Sequence, residues 1–255
     1  MCLIFFSLNE HPDYKLIIAA NRDEFYNRAT APAQFWRDHP DVLAGRDMEA
    51  GGTWLGITKT GRISMLTNYR DPSNINPQAP SRGKLVIDYL IEPVSAPEYL
   101  NAIAGQGNTY NGFNLLAGTP DEMYYYSNYG ADVKKLDRGF YGLSNHLLDT
   151  PWPKVVNGKL RIKPLVYAPK IDTEKIFSVL YNDEIAEDAL LPQTGLPVDR
   201  ERALSSMFIK TPNYGSRCST LVMIDNHNRV FFAERTYDLK SFQYTTRSYE
   251  FPIQK

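Results

Sequence analysis

Residues 2–24, C-L-I-F-F-S-L-N-E-H-P-D-Y-K-L-I-I-A-A-N-R-D-E, decide the fold. Two apolar runs, 2–8 and 14–20, flank a polar turn at residues 9–13 and predict an antiparallel hairpin. Both runs are apolar at nearly every position instead of alternating, so the hairpin belongs in a sheet covered on both faces. The first run is short, follows no basic region and precedes no small-residue cleavage pattern, so it does not read as an export leader. Nowhere does the chain approach the roughly 18 consecutive apolar residues of a membrane span. The expectation is a cytoplasmic protein whose amino end is tied into the core.

Working outward, three further hairpins are predicted. They are 53–68 turning at Thr60-Gly61, 113–129 turning at Pro120-Asp121, and 217–235 turning at Asn226-His227-Asn228. Residues 140–145 and 242–248 read as strands, the latter at a sheet edge, and the segments following Arg28 and 69–81 read as loops. Helices are expected at 81–92, with Leu85, Val86, Tyr89 and Leu90 inward, at 96–104, from Pro151 onward, and over 172–191. No repeat or linker-like stretch interrupts the chain. The order of elements fits one α+β domain over residues 1–255, with helices packed on antiparallel sheet.

The 255 residues carry 28 basic and 29 acidic side chains, a net charge of -1, which excludes a broad nucleic-acid-binding face. Two cysteines, Cys2 and Cys218, and four histidines exclude a disulfide scaffold and leave almost nothing for a zinc site. No metal is expected.

The position of Cys2 is what remains. Removal of the initiator methionine would give Cys2 a free α-amine, with an ordinary pKa of about 7.7–8.0, able to act as base for its own thiol. The competing reading is a small apolar residue in a buried strand. The hairpin brings Arg22 and Asp23 to the chain start, where the arginine favours thiolate and the aspartate holds the amine. Asn68 and Asn145 end strands; each is either an amide donor to an oxyanion or a turn former. Arg217 offers a second positive charge, and Cys218 reads as core. Tyr124, Tyr125 and Tyr126 with Phe113 and Phe140 either line an apolar cleft or alternate between core and surface.

The segments N-R-D-E (21–24), G-G-T-W-L-G (51–56), L-T-N-Y-R-D (66–71), S-R-G (81–83), G-L-S-N (142–145), D-T-P-W-P-K (149–154) and R-C-S-T (217–220) occur in that order. In this series the whole chain resembles the NRDE family, that of the transport and Golgi organisation 2 proteins. That family is in turn similar to N-terminal nucleophile hydrolases of the penicillin V acylase, bile salt hydrolase and acid ceramidase type. The resemblance implies a four-layer α-β-β-α sandwich of antiparallel sheets. It puts Cys2 at the nucleophile, Asp23 at the acid contacting its amine and Arg22 at the arginine beside the thiol. It puts Asn68 at an oxyanion donor, Asn145 at an orienting amide and Arg217 at a second cation. Arg22 lies one residue before the aspartate, whereas those hydrolases carry their arginine three before it. Asn21, Glu24 and His146 complete the candidate set as ligand-binding residues. Two functions are implied. One is an amidase, needing no cofactor, that cleaves a linear non-peptide C–N bond of a small acylated molecule. The other is a non-enzymatic carrier of haem or an acyl lipid, with His146 as candidate axial ligand.

Overall fold

A tight turn with Asn9 at φ 54° reverses the chain between β1 (Cys2–Leu8) and β2 (Tyr14–Phe25). Leu8 stands opposite Leu16, and Cys2 opposite Arg22. The computed structural model describes residues 2–254. The elements that follow are β3 (Thr30–Phe35), β4 (Val42–Asp47), β5 (Leu55–Thr58), β6 (Ile63–Asn68), α1 (Gly83–Ile91) and α2 (Ala96–Ala104). After them come β7 (Phe113–Gly118), β8 (Met123–Ser127), β9 (Lys134–Lys135), β10 (Gly139–Leu143), α3 (Pro153–Val166), α4 (Thr173–Leu180) and α5 (Val198–Ala203). The last strands are β11 (Tyr214–Asp225), β12 (Arg229–Tyr237) and β13 (Tyr244–Pro252).

The strands form two antiparallel sheets, in the orders β10-β1-β2-β11-β12-β13 and β3-β4-β5-β6-β7-β8-β9. The unbroken apolar character of β1 now has its cause. Ile4, Phe6 and Leu8 face the second sheet across a core shared with Leu43, Ile57, Met65 and Leu116. Leu3 and Phe5 face the other way, into a core with Val155 and Ile162 of α3 and Phe177 of α4. On the outer side of the second sheet, Leu66, Phe113 and Leu115 pack against Leu85, Tyr89 and Leu100 of α1 and α2. The result is the α-β-β-α sandwich. Tyr125 packs in the inter-sheet core and Tyr126 in the α1–α2 core, with Tyr124 partly buried against the latter.

Two local expectations are corrected. Residues 30–35 and 42–47 are paired strands, not loop; Pro32 is accommodated at a register shift on the edge strand β3. The helix expected over 172–191 stops at Leu180, where the Tyr181 ring packs on Phe208 and Tyr237 instead of continuing the helix.

Candidate active site

Cys2 ends β1 on the inter-sheet face, and direct cross-strand pairing puts Arg22 beside it on that face. The Arg22 guanidinium is pinned. It donates to Thr30 Oγ1 at 3.0 Å, lies 4.2 Å over the Trp54 ring, and has Glu24 at 3.8 Å. Trp54 is placed by the G-G-T-W loop, which presses on the S-R-G segment: a Cβ on Gly52 would lie 2.4 Å from the Gly83 carbonyl carbon. Only a glycine permits that approach. Thr53 N–H donates to Gly83 O at 3.1 Å across the same contact.

These segments wall a cavity of about 270 Å³ bordered by Cys2, Arg22, Glu24, Asn68 and Arg82, with Asp23 at its edge. It adjoins a larger groove of about 650 Å³ whose walls include Phe25, Ile75, Leu196, Pro197 and Leu204. Glu24, Arg28, Asn68 and Arg82 border both.

Asp23 points to the opposite face of the sheet, as strand alternation requires, and accepts a hydrogen bond from Ser216 Oγ at 2.5 Å. Burial raises the Asp23 carboxyl above its usual range, and the charge of Lys154 is the largest opposing influence. Continuing the β10–β1 register from Ile4–Leu143 by two residues brings Asn145 level with Cys2. Asn145 is fully buried. It donates to Asn68 O at 3.0 Å and accepts from Lys154 Nζ at 3.2 Å, while Arg70 N–H donates to its carbonyl at 2.7 Å. Asn145 therefore orients its neighbours without bordering the cavity, whereas Asn68 borders it.

Arg22 acts on the Cys2 thiol in the expected direction, lowering it, but it is outweighed. Burial dominates and raises the Cys2 thiol, helped by Asp23, against Arg22 and a hydrogen bond from the Asp23 backbone N–H. A thiol raised in this way calls for a base to reach its nucleophilic form.

The other candidates lie elsewhere. Asn21 faces the helix layer, donating to Leu180 O and Met207 O and accepting from Ser219 Oγ at 2.6 Å, so no ligand reaches its amide. Arg217 occupies the register shift between Ser216 and Cys218, and its guanidinium donates to the main-chain carbonyls of Phe25 and Arg28. It braces the 25–28 turn and does not border the Cys2 cavity. His146 lies between the Tyr69 and Trp152 rings, tilted to both, with Nδ1 at 2.9 Å from Thr150 Oγ1, and borders neither the cavity nor the groove. Cys218 is buried beside Glu234, and burial pushes its thiol well up.

A family model described as Transport and Golgi organisation 2 matches residues 1–239. The chain belongs to that family. It is 37% identical to the human Transport and Golgi organization protein 2 homolog, with all of each chain covered. It is 32% identical to Transport and Golgi organization protein 2 of Drosophila melanogaster, with 92% of each covered. Among solved structures it is similar to the Caenorhabditis elegans ortholog of N-acylethanolamine-hydrolyzing acid amidase. That match has a TM-score of 0.49 at 11% identity and covers 86% of this chain and 92% of that one.

Sequence reasoning missed two groups in this Transport and Golgi organisation 2 chain. Lys154 closes the D-T-P-W-P-K segment, and a lysine in the first turn of a helix reads as a solvated side chain; here it is 2% exposed. Arg70, in L-T-N-Y-R-D, forms a buried ion pair with Glu201 of α5 and lies 4.7 Å over the Trp152 ring. Both residues lie within the ordered motif segments, which was the available signal.

Proposed function

We propose that the chain is a cysteine amidase of the N-terminal-nucleophile type, acting on a linear amide of a small acylated molecule. One observation carries this reading: Cys2, directly opposite Arg22 and adjacent to Asp23, borders a polar cavity that adjoins an apolar groove. Removal of Met1 frees the α-amine at the strand end beside Asp23. The amine takes the thiol proton, and the thiolate sulfur attacks the amide carbon. The Asn68 side-chain amide stabilises the oxyanion. As the C–N bond breaks, the departing amine takes the proton back from the α-ammonium, leaving a thioester. Water, deprotonated by the same α-amine, then releases the carboxylic acid and restores the thiol. The sum is amide plus water giving acid plus amine.

The groove suits the acyl chain, because its apolar walls begin where the polar cavity ends. That apolar groove also supports the alternative, a carrier holding an acyl lipid without turnover. A haem carrier using His146 gains nothing from the position of that ring. A cytoplasmic location belongs to the same proposal.

The test is hydrolysis of N-acyl p-nitroanilides of graded chain length by untagged protein. Amidase action predicts turnover lost in Cys2→Ala, and kcat reduced by about 10²–10³ in Asn68→Ala with a smaller change in KM. Saturable binding of the same compounds without release of p-nitroaniline would favour the carrier.

A further inference from the structure

Lys154 is the buried charge that this mechanism leaves unused. Lysines are almost never fully buried unless paired. Yet Lys154 is 2% exposed, and its ammonium donates to the neutral Asn145 Oδ1. Pro153 opens α3 immediately before it, the helix packs on β10 and β1, and the ammonium reaches Asn145, which stands level with Cys2 in the β10–β1 register. The charged and titratable groups facing it come from four elements. They are Cys2 of β1, Asp23 of β2, Arg70 after β6 and Glu201 of α5. Arg70 and Glu201 balance each other. That leaves one anion, Asp23, between two nitrogen bases: the Lys154 ammonium on the helix side and, after methionine removal, the Cys2 α-amine at the strand end.

We propose that Lys154 is a positioning residue of the Cys2 centre, supplying the cation that balances Asp23 so that the Cys2 α-amine stays unprotonated and able to accept the thiol proton. The inference rests on the nucleophile reading above. With Lys154 charged, a second proton on the amine would put two ammonium groups against one carboxylate, which like-charge repulsion disfavours. Without Lys154, the Asp23 carboxylate favours the protonated form of the amine. Burial brings the Lys154 ammonium down to about 8, with Asp23 the leading opposing influence, so it remains charged at neutral pH.

The experiment is the pH dependence of Cys2 alkylation by iodoacetamide in protein lacking Met1, with the modified peptide identified by mass. The sulfur–carbon bond forms as iodide leaves, and the rate follows the transfer of the thiol proton. Lys154→Met and Lys154→Gln should raise the midpoint by about one pH unit, making alkylation near pH 7 about tenfold slower. The Gln variant keeps a donor for Asn145, and Lys154→Arg should return the midpoint toward wild type. An unmoved midpoint in either folded neutral variant overturns the role of Lys154. Should neither variant fold, an NMR titration of the Lys154 side chain in wild-type protein decides: a charged lysine at pH 7 is required, and a neutral one overturns the proposal. Failure of the underlying reading looks different. Wild-type Cys2 would then react no faster than in a form extended by an uncleaved amino-terminal tag.

Discussion

Asn145 donates its side-chain amide to the main-chain carbonyl of Asn68 at 3.0 Å, joining the end of β10 in one sheet to the end of β6 in the other. The same amide group accepts from Lys154, so one buried side chain sets the spacing of the two sheets and the position of the buried cation.

Asn145→Ala therefore leaves both the Asn68 carbonyl and the Lys154 ammonium short of a partner. We predict a loss of about 1–3 kcal/mol in urea unfolding, the usual cost of an unsatisfied buried polar group. Turnover should fall by more than stability alone explains, because the Asn68 end of the cavity is released. Unchanged stability would show that water replaces the amide.

The buried Arg70–Glu201 pair makes a sharper energetic prediction. Arg70→Met alone strands the Glu201 carboxylate and should cost about 3–5 kcal/mol. Adding Glu201→Leu should recover much of that loss, since the desolvated pair is replaced by apolar packing. Denaturant midpoints of the two single variants and the double variant measure this, and additive losses would contradict it.

Gly52→Ala should destabilise through a backbone collision, not through φ strain, because the new methyl meets the Gly83 carbonyl. Overpacking of this kind costs about 1–3 kcal/mol, and the displaced S-R-G segment should also carry Arg82 away from the cavity. Thermal unfolding and KM, measured together, test both consequences.

The pH dependence of stability should carry a signature of Lys154. Its folded-state value of about 8 lies below the ordinary 10.5, so its contribution is fully present above about 10.5 and is lost as pH falls through about 8. The stability difference between Lys154→Met and wild type should then favour the variant most at neutral pH and shrink between pH 8 and 10.5. A difference flat across that window would mean that the lysine is not desolvated.

The architecture was legible where a local pattern coincided with a tertiary requirement. The 2–8 and 14–20 runs announced a doubly covered hairpin, and its turn length alone brought Arg22 across from Cys2. Strand β3 was illegible because Thr30-Ala31-Pro32-Ala33 carries neither alternation nor β-branched density, and its pairing exists only through β4. The site divides the same way. That Cys2, Asp23 and Asn68 come together at one cavity could be expected from position and chemistry. Asn21 could not be separated from them, since strand parity sends it to the helix face only once the sheet's two covers are known. Lys154 was invisible for the converse reason: nothing local distinguishes a solvated lysine in a first helical turn from one aimed beneath a sheet.

The central claim is that Cys2, freed of Met1, is the nucleophile. It is tested most directly by intact and peptide mass measurement of untagged protein before and after brief exposure to an N-acyl p-nitroanilide. The account predicts a chain beginning at Cys2 that gains one acyl group on its first residue, and no acyl group in Cys2→Ala. A chain that retains Met1 throughout, or acylation confined to other residues, would contradict it.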